Sequence, residues 1–268
     1  MMIRVLQGGA VVLLSVGLTV FVLDASETWQ GREGTMLGQL FSSRTSACPA
    51  GMVSLAGYSF SCVDQYEAAP DTGCPTGTVS SIADSGRNLQ AAECAPVSQA
   101  NVEPWRYVSR EEARLLCRRA GKRLPTAEEW YQFALGSSDT STACNLDTPK
   151  AALTGSYPEC VSAVGVHDAV GNVWEWVSED VPAGSWNGRT LPAAGYVTAV
   201  DQAGIAVETD EAPLELYHED YFWNDPTTIQ AMMRGGFYGS GADGGVYAVH
   251  AGIAPETRGQ AIGFRCVL

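Results

Sequence analysis

The spacing of apolar and polar positions predicts short strands and two helices joined by long loops. Alternation over residues 52–55 predicts a first strand, and residues 58–65 predict its partner, with the turn around Gly57. Residues 263–268 predict a closing strand. No period is visible over residues 137–165, so we expect a loop there.

Two helices carry their own start signals. A Ser-x-x-Glu box spans residues 109–112 and a Thr-x-x-Glu box spans residues 126–129. We expect the helices to end at Gly121 and Gly136, because glycine accepts the left-handed backbone that commonly follows a helix. Helical spacing predicts that the buried faces carry Ala113, Leu116, Cys117 and Ala120 in the first helix, and Ala127, Trp130 and Ala134 in the second.

The N-terminal residues predict a targeting segment. Residues 1–24 combine Arg4 with an uncharged apolar run, which is typical of a signal anchor or a cleaved signal peptide. We favour the anchor because Asp24, between Leu23 and Ala25, makes a poor cleavage site. Either interpretation exports the remaining chain, so we expect an extracytoplasmic protein that is membrane-anchored, or secreted if cleaved.

The composition changes after this segment. Residues 25–47 interleave Gly, Ser, Thr and Gln and predict a juxtamembrane linker, so we place the folded domain at residues 48–268. Within it, residues 70–100 predict a surface insertion. The 29 glycines favour a loop-rich fold.

The composition and net charge of the chain limit its possible functions. The chain of 268 residues has a formal net charge of -14 and is 46% hydrophobic, which allows a real core. We expect no nucleic-acid partner, because a basic footprint is missing.

Eight cysteines, an even count without any Cys-x-x-Cys pair, predict disulfides in an oxidising compartment. The sequence alone leaves their connectivity open. They lie at Cys48, Cys62, Cys74, Cys94, Cys117, Cys144, Cys160 and Cys266.

The stretch from Val166 to Glu179 is the densest in candidate chemistry. Asp168, Asn172 and Glu175 offer oxygen ligands on both sides of Gly171, a set that suits a hard cation such as calcium. The simpler alternative is a capped turn followed by a strand whose two tryptophans, 174 and 176, share one face. On the residues alone this alternative is slightly favoured.

Four ordered segments together resemble the formylglycine-generating enzyme, or sulfatase-modifying factor, family. They are Gly121-Lys-Arg-Leu-Pro-Thr-Ala-Glu-Glu-Trp130, Gly171-Asn-Val-Trp-Glu-Trp176, Arg234-Gly-Gly236 and Gly263-Phe-Arg-Cys266. The resemblance implies the family's α+β, C-type-lectin-like fold, irregular and disulfide-stapled, with two helices and small twisted antiparallel sheets. We expect Arg265 in its last segment to make a buried ion pair or carbonyl contacts.

The resemblance also implies pairings and ligands. It implies a disulfide between Cys117 and Cys266, and the simplest pairing for the rest joins sequence neighbours, 48 with 62, 74 with 94 and 144 with 160. It implies calcium as cofactor. The implied calcium ligands are the Asp168 and Glu175 side chains with the Gly171 and Val173 carbonyls, and, at a further site, Asn145 and Leu146.

The sequence departs from the family where enzymes of that family hold copper. The two copper-binding cysteines are replaced by Gly239 and Gly244, so we do not expect copper as a cofactor. The serine of the oxygen site is replaced by Phe237, although its tryptophan matches Trp174. The three histidines are scattered and form no metal-binding motif.

Residues 190–233 contain no Lys or Arg but eight carboxylates. The simpler interpretation is a solvated acidic insertion. The alternative is a cation-loaded or partner-facing loop in which Tyr217, Tyr221, Phe222 and Trp223 supply apolar contact.

The leading hypothesis is therefore a calcium-stabilised, non-catalytic module that binds a protein, peptide or glycan. One alternative is a formylglycine-generating oxidase, or a related metal-dependent oxidase, with atypical ligands. The other is a structural subunit of a cell-surface assembly with the segment 217–223 as its contact. The predicted ligand groove of the leading hypothesis is lined by Trp174, Phe237, Tyr238, Gly239, Gly244, Tyr247 and His250.

Overall fold

The computed structural model describes residues 48–55, 60–227 and 229–268. The predicted signal anchor and linker, residues 1–24 and 25–47, lie outside the described residues. So does the predicted first turn, residues 56–59. Within the part of the chain that is described, no helix is long and apolar enough to cross a membrane.

The described chain alternates short strands with three helices. The helices are α1 (Ile82–Gln90), α2 (Arg110–Arg119) and α3 (Ala127–Ala134). The strands are β1 (Met52–Ser54), β2 (Cys62–Asp64), β3 (Ala68–Pro70), β4 (Pro96–Ser98), β5 (Trp174–Pro182), β6 (Ser185–Trp186), β7 (Arg189–Thr190), β8 (Gly195–Val200), β9 (Ala206–Asp210), β10 (Tyr221–Trp223), β11 (Ile229–Arg234), β12 (Val249–Ile253) and β13 (Ile262–Gly263).

Both predicted helices start where their capping boxes lie. Ser109 accepts a hydrogen bond from the N–H of Glu112, and the Glu112 side chain accepts one from the N–H of Ser109. Thr126 and Glu129 repeat the arrangement at α3. The glycines that follow have φ of 71° and 80° at Gly121 and Gly136, as a left-handed helix end requires. The predicted faces are buried except for Ala120, which is half-buried.

A seven-stranded sheet organises the domain, in the order β13-β5-β11-β12-β10-β8-β9. Side chains on its two faces belong to separate apolar clusters, because successive residues of a strand point in opposite directions. In β5, Trp176 lies in the cluster that also holds α2, whereas Val177 lies in the cluster that holds α3. The sheet is therefore covered on both sides near β5. Residues 174–176 of the sequence motif form the start of this strand.

Four disulfides link the fold, and all four predicted pairings are confirmed. Cys117 in α2 bonds Cys266, across a sequence separation of 149. The other bonds join Cys48 to Cys62, Cys74 to Cys94 and Cys144 to Cys160. No cysteine is free.

Some sequence predictions were wrong in extent. Residues 70–100 contain helix α1 and strand β4, because Ser81 caps a helix whose polar residues Asp84 and Asn88 are buried in local hydrogen bonds. The closing strand is limited to Ile262–Gly263, and Val267 forms only isolated bridges.

The acidic segment 190–233 is not a loop, since it contributes β8, β9, β10 and most of β11 to the large sheet. Phe222 is fully buried. The hypothesis of four aromatic side chains facing a partner is therefore wrong for Phe222, which strand alternation turns into the core.

Candidate ligand-binding site

A buried charge centre, made of Glu67, Asp168, Glu175 and Arg265, lies beneath the motif at residues 171–176. The guanidinium of Arg265 donates from Nε to both oxygens of Glu175 at 2.8 Å, and Nη2 lies 2.5 Å from Oε1. Arg265 also donates to the carbonyls of Asp64 and His167. Both forms of contact expected for Arg265 are therefore present.

Glu175 is saturated by protein donors. In addition to Arg265, the indole of Trp130 donates to Glu175 Oε2 at 2.7 Å. Burial opposes the charge on Arg265, but the carboxylates of Glu175, Glu67 and Asp168 outweigh burial and raise the pKa of Arg265. Glu175 is therefore the counter-ion of Arg265, and Trp130 is a core residue that also orients this carboxylate.

The other two carboxylates, Glu67 and Asp168, also accept hydrogen bonds from the protein. Glu67 accepts hydrogen bonds from the Asn172 side chain at 2.6 Å and from the N–H of Val173 at 3.2 Å. Asp168 Oδ2 accepts one from the N–H of Gly155 at 2.6 Å. Burial raises the pKa of Asp168 to about 6, and burial with the negative charges of Asp168 and Glu175 raises the pKa of Glu67 well above its usual range.

The turn of the motif depends on one glycine. Gly171 has φ of 76°, and a Cβ atom there would lie 2.5 Å from the carbonyl oxygen of Asn145. That carbonyl accepts a hydrogen bond from the N–H of Asn172, and the Asn145 side chain donates to Asn172 Oδ1 at 2.9 Å. The loop 145–146 therefore docks directly on the turn. The turn is followed by β5, in which Trp174 and Trp176 lie in one apolar cluster, as the simpler sequence interpretation predicts for the strand.

Four of the six predicted calcium ligands, Asp168, Glu175, Asn145 and Leu146, already accept hydrogen bonds from the protein. Asn145 Oδ1 accepts one from Thr148 at 2.6 Å, and the carbonyl of Leu146 accepts one from the N–H of Gly241 at 2.8 Å. Among the described residues, the side chains of Asp71, Cys74 and Cys94 are close enough to share a metal ion. The sulfurs of Cys74 and Cys94, however, form a disulfide with each other. Glu175, held by Arg265, does not fit a calcium ion in this arrangement.

Three of the residues predicted to line a groove lie together on the α2 side of the sheet. The ring of His250 stacks on Trp223 with centroids 5.9 Å apart, and Trp174 meets both edge-on at 6.1 Å and 5.4 Å. Phe237 packs against the same apolar cluster. We call Trp174, Trp223, Phe237 and His250 the aromatic patch. Trp223 was absent from the predicted groove, although its alternation with Phe222 could have placed it there.

His250 is held uncharged in the patch. Burial lowers the pKa of its imidazole to about 4, and Nδ1 is buried without a hydrogen-bond partner among the described residues. Trp174 is buried, whereas Trp223, Phe237 and His250 are half-buried. The patch therefore presents three accessible rings and one unpartnered polar atom.

Of the remaining predicted groove residues, Tyr247 separates from the aromatic patch. It lies in the turn before β12 and packs with Tyr131 and Tyr217 in the cluster on the α3 side, so its assignment to the same groove is wrong. Tyr238 is buried beside Ala151 and Val173, and its ring meets Phe237 edge-on with centroids 5.1 Å apart. A Cβ at Gly239 would contact the Phe237 ring, whereas one at Gly244 would contact Ser240 and Leu146.

Arg234, which opens the third motif, has a structural role. Its guanidinium is fully buried, lies 4.9 Å from the Trp130 ring and donates to four carbonyls. Desolvation lowers the pKa of Arg234 to about 10.

Sequence comparisons extend over most of the described chain. The profile of the sulfatase-modifying factor enzyme 1-like domain matches residues 52–268. A hercynine oxygenase of Mycolicibacterium smegmatis is 36% identical over 104 residues, covering 33% of this chain and 24% of that protein. An inactive C-alpha-formylglycine-generating enzyme 2 of Bos taurus is 32% identical over 121 residues, covering 37% of this chain and 40% of that protein. A formylglycine-generating enzyme of Thermomonospora curvata is 30% identical over 142 residues, covering 44% and 46%. Each match spans less than half of the relative.

Matches to solved structures have low identity and TM-scores below 0.5. The P3c variant of the major tropism determinant gives a TM-score of 0.47 at 18% identity, over 82% of this chain and 53% of that one. PvdO from Pseudomonas aeruginosa gives 0.44 at 15% identity, over 81% and 89%. The family profile, which spans all four motifs and the strands and helices between them, carries the assignment: the chain belongs to the family of sulfatase-modifying factor enzyme 1-like domains, with the α+β, C-type-lectin-like fold of that family.

Proposed function

We propose that the described domain binds a protein, peptide or glycan through the aromatic patch and does not oxidise cysteine. The observation that carries this proposal is the absence of thiols at the family's copper position. Residues 239 and 244 are glycines, and every cysteine of the chain is in a disulfide. Soft thiolate ligands select monovalent copper, and glycine supplies none.

The backbone around these glycines is well anchored. The N–H of Tyr238 donates to the carbonyl of Asn172, and the N–H of Gly241 donates to the carbonyl of Leu146. Ser240 accepts a hydrogen bond from the N–H of Phe237 at 2.9 Å. The turn thus keeps its attachment to the motif without carrying the ligand pair. One relative is itself named an inactive formylglycine-generating enzyme, which favours the same interpretation.

The aromatic patch supplies the binding surface of the proposal. Half-buried aromatic rings contribute large contact area at low entropic cost. His250 contributes its half-buried ring to this surface, whereas its Nδ1 atom is buried and has no partner among the described residues.

Copper titration tests the choice between binding and oxidation. Monovalent copper, titrated into the full chain with its disulfides intact, should show no stoichiometric site, and a peptide with the Cys-x-Pro-x-Arg motif of sulfatases should not be converted. The matched variant carries Gly239→Cys and Gly244→Cys, which restores both thiols. Tight one-to-one copper binding by the unmodified chain, lost in His250→Phe, would favour the oxidase with atypical ligands.

The patch is tested separately with immobilised peptide and glycan libraries. Trp223→Ala should abolish any binding that the unmodified chain shows. Trp186→Ala is the matched control, because Trp186 lies in the other apolar cluster. Binding that survives Trp223→Ala would place the ligand elsewhere.

The proposal also covers location. Four disulfides indicate an extracytoplasmic protein. Anchoring through residues 1–24 and calcium binding through Asp168 stay predictions. For calcium, Asp168 would have to act without Glu175, which Arg265 already neutralises.

A further inference from the structure

An open cleft of about 690 Å³ lies at the outer edge of the large sheet, away from β5. Its volume is within the usual range for small-molecule sites. The lining comes mainly from the neighbouring strands β8, β9 and β10 and includes Gly195, Tyr196, Thr209, Asp210, Glu211 and Tyr221.

Strand register aligns three of these side chains. Tyr196 is directly opposite Asp210 on one side and Tyr221 on the other, and directly opposed residues share a face of the sheet. The two tyrosine rings lie 5.2 Å apart at 83°. Their strand neighbours Val197 and Phe222 are fully buried on the opposite face. The row Asp210, Tyr196, Tyr221 therefore forms a corner of two half-buried rings beside a carboxylate.

The charged side chains that line the cleft are all acidic. Asp210 and Glu211 are exposed carboxylates, and the lining contains no Lys or Arg. The N–H of Ala212 donates to Asp210 Oδ1 at 3.1 Å, which restricts that carboxylate. Anionic ligands are therefore disfavoured, and cations are attracted.

Close approach of two strands shapes the floor. A Cβ at Gly195 would lie 2.8 Å from the carbonyl oxygen of Asp210 and 3.1 Å from Thr209 Cβ. Only glycine allows β8 and β9 to approach this closely beside Tyr196.

We propose that this cleft binds an alkylammonium group, held by cation–π contact with Tyr196 and Tyr221 and by the charge of Asp210 and Glu211. Aromatic faces carry negative electrostatic potential and favour large, weakly hydrated cations such as quaternary ammonium. An unmethylated lysine ammonium is compact and strongly hydrated, so it gains less in an open cleft. This site is separate from the aromatic patch and does not rest on the proposed function.

Calorimetry with the full chain tests the cation requirement. Choline should bind, and its neutral isostere, in which carbon replaces nitrogen, should bind about tenfold more weakly, as a cation–π contribution predicts. Equal binding of the two compounds would overturn the proposal, and so would no binding of any ammonium probe.

Variants of Tyr221 separate the ring from its hydroxyl. Tyr221→Ala should weaken choline binding about tenfold, while Tyr221→Phe should keep it within about threefold, because the ring face is retained. The same loss in both variants, with unfolding curves unchanged, would contradict the cation–π contact. Asp210→Asn should weaken binding less and reduce its salt dependence.

Two probes distinguish the source of the ammonium group. Binding of free choline indicates a small-molecule headgroup. Binding of a trimethyllysine peptide, but not of choline or of the unmethylated peptide, indicates a modified protein side chain. Each outcome supports the alkylammonium site, whereas preference for the unmethylated peptide would contradict it.

Discussion

The buried charge centre and the turn at residues 239–244 both belong to the region around the motif at residues 171–176. They differ in how strictly their side chains are required. Each carboxylate of the centre accepts hydrogen bonds from the protein, and Arg265 donates to three carbonyls as well as to Glu175. The turn is attached through its backbone, and its glycines at 239 and 244 contribute no functional group. A single substitution in a buried network is costly, because it leaves the partner groups unsatisfied. Side chains on such a turn, in contrast, can be lost while the scaffold remains.

Breaking the charge centre should have the largest effect. Arg265→Met should lower the free energy of unfolding by about 3 to 5 kcal/mol, because it leaves the Glu175 carboxylate buried and unpaired. Urea denaturation measures this loss. Arg265→Lys, which keeps the charge but not the fork, should lose less, and equal stability of all three proteins would show that the pair is dispensable.

The aromatic patch and the charge centre should respond to pH in opposite directions. His250 has an ordinary pKa of 6.5 and a folded pKa of about 4. Between these values only the unfolded chain takes up the proton, so this residue lowers stability by about 3 kcal/mol as pH falls from 6.5 to 4. Asp168 has a folded pKa raised to about 6, so between pH 6 and 3.8 the folded chain takes up the proton and gains stability as pH falls.

Urea denaturation across this range should therefore show a smaller loss toward pH 4 in His250→Phe than in the unmodified chain. Asp168→Asn removes the opposing gain and should steepen the loss. If His250→Phe leaves the profile unchanged, the imidazole is not buried in its neutral form.

Alanine substitutions at Gly171 and Gly239 compare how well the two turns tolerate a side chain. Gly171→Ala should cost about 2 kcal/mol or more, because a Cβ would lie 2.5 Å from the Asn145 carbonyl oxygen at a positive φ. Gly239→Ala should cost less than about 1 kcal/mol, since its backbone φ is not positive and the Phe237 ring can shift. Thermal unfolding of both variants checks the difference, and the reverse order would refute the contrast between a fixed and a tolerant turn.

Calcium should have the smallest effect. Because Arg265 already neutralises Glu175, excess calcium or a chelator should change stability by less than about 0.5 kcal/mol. The measurement is the melting temperature with each addition. A rise of several degrees in calcium, absent in Asp168→Asn, would instead support the calcium site predicted from the sequence.

Local signals predicted much of the fold. Capping boxes at 109–112 and 126–129 placed α2 and α3, because a helix start is decided by residues three apart in the chain. Motif order identified the family, which implied the disulfide between Cys117 and Cys266. The other three pairings followed from joining sequence neighbours. Helix α1 was missed because its buried face is polar, with Asp84 and Asn88 satisfied by local hydrogen bonds rather than by an apolar stripe.

The sequence by itself determined which groups are present: glycines where copper thiols would be, an even set of cysteines and the residues of the four motifs. Tertiary structure decided their partners. It paired Glu175 with Arg265, 90 positions away, and placed Tyr247 and His250 in different clusters. The reason is physical: a buried carboxylate takes whichever donor the fold brings within hydrogen-bond distance, and strand pairing brings together residues that no spacing along the chain relates.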